Sequence, residues 1–224
     1  DGLGTLAYSW QRSANGTTGW STITAANASS YSLTQSDVGF FIRSVVSYDD
    51  ALGKSESVAS SPTATAVVNV DDAATGTLSV TGTPAEGSTL VAALTNVSDL
   101  DGTTSTGFQW QEFNNSAWSN LSANGANTST LSIPADQTYV GKVVRVVATT
   151  TDALGGTTSF VSAGETIVNV NDSPSGSISI SGSATQGQTL TANTTIADAD
   201  GLGTLAYSWQ RSANGTTSWS AISA

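Results

Sequence analysis

Short stretches in which apolar and polar residues alternate recur along the whole chain. The clearest is the run Gly76-Thr77-Leu78-Ser79-Val80, in which the larger apolar residues are two positions apart. Because successive side chains of a β-strand point to opposite faces, this pattern predicts a strand with one buried face. The same reasoning predicts strands A, B, C, E and F at residues 76–80, 89–97, 107–111, 129–133 and 143–147, and a strand G that ends at residues 167–170. We therefore predict an all-β fold.

Aromatic residues mark predicted strand C and the strand after it. Phe108 and Trp110 are two residues apart and share one face of strand C. Trp10 and Trp209 are the corresponding residues near the two ends of the chain. A second tryptophan follows in each case, at Trp20, Trp118 and Trp219. A tryptophan within a strand favours core packing, whereas an exposed one can stack on a sugar ring. We predict that the first set is core, and the second set leaves carbohydrate binding open.

Arg43 and Arg145 occupy the same place in predicted strand F of two successive segments. Strand F is expected to pair with strand C, so each arginine should lie beside residues of strand C. We expect them to pair with strand C residues such as Glu112, which is a structural role.

The sequence repeats with a period of about 100 residues. Residues 1–25 and 200–224 are identical except at three positions, where Gly19, Thr22 and Thr24 are replaced by Ser218, Ala221 and Ser223. A diverged middle copy contains Trp110 in the corresponding place. A period of this length is that of a whole domain, because solenoid repeats have periods of about 20 to 50 residues.

The boundaries of the repeats follow two β-branched runs. One run ends at Val70 and is followed by Asp71-Asp72-Ala73, and the other ends at Val170 and is followed by residues 171–174. Such Asp/Asn-rich and Pro-containing stretches end strands. We predict that residues 1–70 are the C-terminal part of one repeat, 73–170 a complete repeat and 173–224 the N-terminal half of a third. The chain is then either a window on a longer array or a fragment whose halves are completed by neighbouring molecules.

The composition excludes several classes of function. The chain of 224 residues has 17 acidic and 6 basic residues, a formal net charge of -11, and no cysteine or histidine. Without these two residue types there is no thiol nucleophile, no Ser-His-Asp triad and no zinc site of the usual kind, so we do not expect an enzyme. Nucleic acid and anionic membranes are bound by clustered Lys and Arg, so neither is an expected partner. No segment approaches the roughly 20 apolar residues of a membrane-spanning helix, so membrane insertion is not expected.

Eleven of the 13 aspartates lie in three kinds of predicted loop. In an immunoglobulin-type (Ig-type) sandwich the B–C and F–G loops lie at the same end of the domain, where the chain enters from the preceding linker. We therefore expect these loops to meet the linker. The residues are Asp71, Asp72 and Asp172 in the linkers, Asp1, Asp99, Asp101, Asp198 and Asp200 in the B–C loops, and Asp49, Asp50 and Asp152 in the F–G loops.

Carboxylates gathered at one junction repel each other unless a cation neutralises them. Calcium binds about six to eight oxygen ligands with flexible geometry and suits Asp and Asn side chains on loops. We therefore predict calcium as the cofactor of the inter-repeat junctions. The alternative is that these residues only form turns, through hydrogen bonds to their own backbone. The candidate ligands are Asp71, Asp72, Asp99, Asp101, Asp152, Asn169, Asn171, Asp172, Asp198 and Asp200.

Several short motifs carry a resemblance to a known class of protein. They are the segment from Leu33 to Gly39 before strand F, the linker from Asn169 to Pro174, Asp99-Leu100-Asp101, Asp198-Ala199-Asp200 and, loosely, residues 152–155. Together they resemble the tandem Ig-like and cadherin-like repeats of giant bacterial surface adhesins of the RTX/VCBS type. The resemblance implies β-sandwich repeats of about 100 residues with Greek-key topology, calcium at the linkers, and an extracellular or cell-surface location in bacteria. The sequence departs from cadherins at Asn69 and Asn169, where cadherins have Asp.

The function expected from these features is structural. The leading hypothesis is an extender repeat of a large extracellular adhesin or surface fibre, stiffened by calcium between neighbouring repeats of the same chain. One alternative is a filament in which the half-repeat 173–224 accepts strands from another copy. Another alternative is a carbohydrate-binding module that uses the second set of tryptophans.

Overall fold

The computed structural model describes residues 4–223 of the chain. These residues form β-strands and one short 3-10 helix, Gln35–Asp37, and they contain no α-helix. The prediction of an all-β fold is confirmed. By their contacts the residues divide into two compact units, one made of residues 4–75, Val97–Ser105 and Thr150–Thr158, and the other of Gly76–Asn96, Thr106–Thr149 and residues 159–223.

The first part of the chain folds into a four-stranded antiparallel sheet. Its strands lie in the order β2-β1-β3-β4 and are β1 (Ala7–Ser13), β2 (Ser21–Thr22), β3 (Phe41–Asp49) and β4 (Ser55–Ala59). Tyr8 pairs with Val46, and Trp10 pairs with Ser44. The β1–β2 turn contains Gly16 at φ +70, a conformation that favours glycine, and a Cβ there would come within 3.0 Å of the Phe41 ring.

A buried carboxylate holds the loop that leads into β3. Asp37 is fully buried, and its Oδ2 accepts hydrogen bonds from the hydroxyl of Tyr31 at 2.7 Å and from the backbone N–H of Thr34 at 2.9 Å. The guanidinium of Arg12 lies 3.6 Å from the other carboxylate oxygen. Burial alone raises the pKa of Asp37, but the hydrogen bonds from Tyr31 and Thr34 outweigh burial and lower it.

We expect Asp37→Ala to lower the free energy of unfolding of this first sheet by about 2 kcal/mol, since hydrogen bonds to a buried charged group are lost. Because the folded pKa is depressed, the contribution of Asp37 is present above the ordinary aspartate pKa and is lost as the pH falls through the lower folded value. Urea unfolding at neutral pH and in acid measures both effects. Asp136→Ala is the control, because Asp136 is an exposed loop carboxylate that caps only Thr138. Equal losses in the two variants would contradict the assignment.

The middle of the chain forms two further antiparallel sheets. One has the order β5-β6-β9, and the other has the order β11-β10-β7-β8 with β12 also paired to β10. The strands are β5 (Thr75–Thr81), β6 (Thr89–Ser98), β7 (Thr103–Asn114), β8 (Ala117–Asn120), β9 (Thr130–Ser132), β10 (Val143–Asp152), β11 (Thr157–Val161) and β12 (Glu165–Thr166). Strands β5, β6, β7, β9 and β10 contain most of the residues of predicted strands A, B, C, E and F. The Greek-key connection and the division into repeats remain predictions.

The prediction of strand G was wrong in detail. Residues 167–170 are not a strand, and only Val168 makes an isolated parallel bridge, to Ala85. The strand next to β10 is β11, which follows a tight turn after Asp152. Its sequence, Thr-Thr-Ser-Phe-Val, is mostly hydroxylated, so the apolar alternation that identifies strands is weak there.

One apolar core fills the middle region. Trp110 from β7 is 1% exposed, and it is surrounded by other buried residues from both sheets. Its indole Nε1–H donates to the backbone oxygen of Thr128 at 3.0 Å. The first tryptophan of the middle region is therefore a core residue, as predicted. The buried cluster also contains Leu90, Ala92, Leu131, Ile133, Val144, Val146 and Ile167.

Residues 173–223 form two separate hairpins. The first pairs β13 (Ile178–Ser181) with β14 (Thr191–Thr194), and the second pairs β15 (Gln210–Arg211) with β16 (Ser220–Ala221). Large apolar side chains are exposed on these hairpins and in the segment between them. They include Ile178, Ile180, Leu205, Tyr207 and Trp219.

Candidate functional site

Three of the predicted ligands come together in the first compact unit. Asp71 lies in the linker, Asp101 in the loop between β6 and β7, and Asp152 at the end of β10. One carboxylate oxygen of each lies within 4.8 Å of the others. Two oxygens bound to a single calcium ion at about 2.4 Å are at most about 4.8 Å apart, so one ion can contact all three carboxylates. The donor set consists of hard oxygens, which suits calcium or another hard divalent cation.

A local turn fixes the direction of the Asp152 carboxylate, and a second turn orients the loop that carries Asp101. Asp152 Oδ1 accepts hydrogen bonds from the backbone N–H groups of Leu154 at 2.6 Å and Gly156 at 2.9 Å. The side chain of Asp99 accepts the N–H of Asp101 at 2.8 Å. Both are turns in which an aspartate bonds the chain that follows it. The turn-forming hydrogen bonds and the carboxylate cluster therefore occur in the same loops, and one does not exclude the other.

The cluster is crowded as well as charged. A Cβ at Gly156 would collide with the carboxylates of both Asp71 and Asp152, so a larger residue there would displace these side chains. The contact with Asp152 is the main cause that raises the pKa of Asp71, with burial and the charges of Asp101 and Asp99 acting in the same direction. Burial raises the pKa of Asp152, but the hydrogen bonds from backbone N–H groups outweigh burial and lower this pKa. Ionisation of Asp71 is thus disfavoured without a cation.

A second set of contacts joins the same loop to the linker without any ion. The side-chain amide of Gln35 donates to Asp101 Oδ1 at 2.9 Å, and the backbone N–H of Asp72 donates to Asp101 Oδ2 at 2.9 Å. Asp101 therefore receives one hydrogen bond from the first sheet's 3-10 helix and one from the linker. We call this arrangement, Gln35, residues 69–72 and residues 99–101, the first joint.

The same arrangement recurs about 100 residues later in the second compact unit. Gln137 donates to Asp200 Oδ1 at 3.1 Å, and the N–H of Asp172 donates to Asp200 Oδ2 at 2.6 Å. Asp200 N–H donates to Asp198 Oδ1 at 2.9 Å, as Asp101 does to Asp99. We call Gln137, residues 169–172 and residues 198–200 the second joint.

In the second joint the amide of Asn169 also takes part. Asn169 accepts from Gln137 at 2.8 Å and donates to Asp200 Oδ1 at 2.6 Å. The bond from Asn169, followed by those from the N–H of Asp172 and from Gln137, lowers the pKa of Asp200. Asn171 stands at the place of Asp71, and its amide donates to the backbone oxygen of Asp172. The second joint therefore has fewer carboxylates and more neutral donors than the first.

The ten predicted ligands fall into different groups. Asp71, Asp101 and Asp152 form the carboxylate cluster, whereas Asp72 contributes its backbone N–H and Asp99 orients the loop. The second-joint residues Asn169, Asn171, Asp172, Asp198 and Asp200 form the hydrogen-bonded network described above. Asp1, which the sequence also assigns to a B–C loop, lies outside the described residues.

Two buried oxygens close to the linkers have no hydrogen-bond partner among residues 4–223. They are Asn69 Oδ1 and Glu86 Oε1. Glu86 is 5% exposed, and its other oxygen accepts the N–H of Val170 at 3.3 Å. Buried oxygens without a donor are uncommon in proteins.

Gln35 and Gln137 were not among the predicted site residues. A single neutral amide has no charge pattern or spacing that marks it in a sequence. The usable signal is positional, because both precede the Val-Gly pair that leads into predicted strand F, at 38–39 and 140–141. Each joint depends on one of them.

The second set of tryptophans is partly covered. The Arg43 guanidinium lies 4.2 Å from the Trp20 ring centre, and that of Arg145 lies 4.0 Å from the Trp118 ring centre. These arginines bond Gln11 and Gln111 rather than Glu112, which instead pairs with Lys142 at 3.0 Å. Both arginines therefore pair with predicted strand C or with its counterpart β1, as expected, but they do so through glutamines and not through Glu112. One face of Trp20 and one of Trp118 are occupied by guanidinium groups and are not available to a sugar.

No protein-family model matches this chain, and no curated protein matches it. Among residues 4–223, no helix has the length and apolar character needed to cross a membrane.

We expect Asp71→Asn to have opposite effects with and without calcium. Without divalent cations the variant removes the carboxylate with the raised pKa, so its melting temperature at neutral pH should exceed that of the unmodified chain. With calcium the variant lacks a ligand, so the increase in melting temperature on adding calcium should be smaller. Differential scanning calorimetry in calcium and in chelator measures both effects. Asp72→Asn is the control, because the backbone and not the side chain of Asp72 bonds Asp101. A lower melting temperature of Asp71→Asn in chelator would contradict the electrostatic account.

Proposed function

We propose that this chain is a non-enzymatic structural extender, in which successive β-sandwich repeats are held end to end by a repeated joint. The single observation that carries the proposal is the recurrence of the Gln–Asp–linker network at Asp101 and at Asp200. A loop contact formed by chance would not recur with the same donors and acceptors about 100 residues later. The repetition favours a joint that serves every repeat in the same way.

The mechanism is a fixed orientation at each joint. A flexible linker lets the reach of a chain grow only as the square root of its length. Each joint uses a side chain before the linker, a backbone N–H within it and a carboxylate after it. The hydrogen bonds among these three groups restrain rotation of the linker, so reach increases in proportion to the number of repeats.

Calcium is proposed to complete the first joint. The carboxylates of Asp71, Asp101 and Asp152 would hold the ion, and the ion would supply the positive charge that offsets their mutual repulsion. Calcium sites in extracellular modules have dissociation constants of about 0.1 to 1 mM. A weak site of this kind is filled in a calcium-rich extracellular medium, which is the compartment we propose.

The proposal also accounts for the composition. A chain without histidine or cysteine has few catalytic groups, and eight of its 13 aspartates belong to the joints or to the carboxylate cluster. A bacterial surface fibre or adhesin is the kind of protein that needs such extenders. The partners proposed for this function are the neighbouring repeats of the same chain.

We expect the double variant Gln35→Ala, Gln137→Ala to keep its β-sheet content and lose its fixed shape. Small-angle X-ray scattering should show a smaller maximum dimension and a broader distance distribution than for the unmodified chain, because both joints lose a side-chain donor. The control is Gln188→Ala, since Gln188 lies in an exposed turn and, among residues 4–223, only its backbone makes a hydrogen bond. If the double variant scatters like the unmodified chain, the glutamines do not fix the joints.

A further inference from the structure

The tetrapeptide Ser-Ala-Asn-Gly occurs three times in the chain, at residues 13–16, 122–125 and 212–215. We call these the first, middle and third Asn-Gly sites. An Asn-Gly pair is chemically reactive, because glycine has no side chain to shield its backbone nitrogen from the side-chain amide of the asparagine. When that nitrogen attacks the amide carbon, a succinimide forms and ammonia leaves. The four residues are identical at the three sites, so differences in reactivity between the sites come from the folded structure.

Hydrogen bonds hold both reactive groups at the first Asn-Gly site. Asn15 Oδ1 accepts the backbone N–H of Thr17 at 3.0 Å and that of Thr18 at 2.9 Å. Asn15 Nδ2 donates to Thr18 Oγ1 at 3.0 Å. The N–H of Gly16 donates to Ser13 Oγ at 3.2 Å. The asparagine side chain is therefore fixed toward the residues that follow it, and the attacking nitrogen is already engaged.

The third Asn-Gly site has the same hydrogen bonds. Asn214 Oδ1 accepts the backbone N–H of Thr216 at 3.0 Å and that of Thr217 at 2.9 Å. The N–H of Gly215 donates to Ser212 Oγ at 3.2 Å. All of these bonds lie within residues 212–217, so they depend on the local turn and not on distant parts of the chain.

The middle Asn-Gly site lacks these hydrogen bonds. Asn124 and Gly125 lie in an exposed turn, which the N–H of Ala126 closes by donating to the oxygen of Ala123 at 3.0 Å. Within residues 4–223, neither the side chain of Asn124 nor the N–H of Gly125 makes a hydrogen bond. The peptide group between them accepts one, from the N–H of Ser132 to the Asn124 oxygen at 2.9 Å. Fewer hydrogen bonds therefore oppose the attack here than at the other two sites.

We propose that Asn124 is a site of spontaneous covalent modification, at which asparagine is converted to isoaspartate and aspartate. The nitrogen of Gly125 forms a bond to Cγ of Asn124 and loses its proton to solvent, and the amide nitrogen of Asn124 leaves as ammonia. Water then adds to one of the two carbonyl carbons of the succinimide and opens the ring. Opening at the main-chain carbonyl gives isoaspartate, in which the chain continues through Cγ. Opening at the side-chain carbonyl gives aspartate.

The modification changes the chain next to the apolar core. Isoaspartate adds one carbon to the main chain two residues before Ala126, which is 3% exposed and belongs to the buried cluster. The backbone oxygen of Ala126 accepts the N–H of Trp110 at 2.6 Å. Displacement of Ala126 therefore disturbs the contact between this loop and β7, and either product adds a negative charge. The modification is independent of the joints and limits the lifetime of the folded middle region.

Incubation of the full chain in mildly alkaline buffer, followed by peptide mapping with mass spectrometry, measures the rate at each site. Asn124 should be converted at least about tenfold faster than Asn15 and Asn214, because several hydrogen bonds must break before those two residues react. In denaturant the three rates should become similar, since the tetrapeptides are identical. A rate at Asn124 in the folded chain that does not exceed the other two, or the same excess at Asn124 in denaturant, would overturn the proposal.

Ser212→Ala tests the origin of the protection at the third Asn-Gly site. The variant removes the acceptor of the Gly215 N–H, so Asn214 should react faster, while the rate at Asn124 in the same chain should stay unchanged. An unchanged rate at Asn214 would show that these hydrogen bonds do not protect the site and would contradict the structural basis of the proposal.

Asn124→Gly tests the consequence for stability. Glycine cannot form the succinimide, and it adopts the φ of 60 found at Asn124 without strain. After the same incubation, differential scanning calorimetry should show a lower melting temperature for the unmodified chain and no change for Asn124→Gly. An equal decrease in both chains, or no decrease in an unmodified chain that mass spectrometry shows to be converted at Asn124, would overturn the link between this site and the stability of the middle region.

Discussion

Replacing Trp110 by alanine should lower the free energy of unfolding of the middle region by about 3 to 5 kcal/mol, the usual cost of removing a large buried aromatic side chain. Trp110 is 1% exposed and lies among the buried residues of both sheets. The variant also leaves the backbone oxygen of Thr128 without its indole donor. Urea unfolding followed by circular dichroism measures the loss.

Trp118→Ala is the control for Trp110→Ala. Trp118 is half-buried and lies beneath Arg145, so its removal should cost clearly less than that of Trp110. If Trp110 were a sugar-binding residue instead, its removal would abolish binding to a glycan array with little loss of stability. A loss below about 1 kcal/mol for Trp110→Ala would contradict the core assignment.

Replacing Asp101 by asparagine should have the largest effect on calcium binding. Asp101 belongs to the carboxylate cluster and also accepts from Gln35 and from the linker N–H of Asp72. Removing one of the three carboxylates should raise the dissociation constant for calcium at least about tenfold, which corresponds to about 1.4 kcal/mol of binding free energy. Isothermal titration calorimetry measures the affinity directly.

Asp200→Asn is the matched control for Asp101→Asn. Asp200 has the same hydrogen-bonding role at the second joint but does not belong to the cluster of Asp71, Asp101 and Asp152. The two variants should weaken one joint each, and only Asp101→Asn should reduce calcium binding at the first. Equal calcium affinity in Asp101→Asn and the unmodified chain would show that the first joint does not bind calcium and depends on its hydrogen bonds only.

The strands were the most predictable part of the fold, because alternation in β5, β6 and β10 follows directly from burial of one face. The place of β11 was not predictable from alternation, since hydroxylated residues there hide the pattern. The loops that carry Asp101 and Asp152 were identified because acidic residues at strand ends are visible in the sequence. Which of ten candidate ligands share a cluster depends on side-chain direction, and the sequence does not determine that.

The roles of individual polar residues were harder to predict than their location. Asp72 acts through its backbone, and Gln35 and Gln137 act through neutral amides, so no charge pattern marks these contacts. The partner of Arg145 depends on strand register and side-chain length. Arg145 bonds Gln111, and Glu112 pairs with Lys142. Repetition was the most informative signal, since it relates the two joints before any geometry is known.

The most direct test of the fixed joint is a distance measurement across it. The chain has no cysteine, so cysteines introduced at the exposed residues Ser57 and Thr95 are the only sites for spin labels. Pulsed electron paramagnetic resonance should give one narrow distance distribution in calcium, a broader one in chelator, and the broadest one in chelator with Gln35→Ala. A broad distribution in calcium would contradict the account.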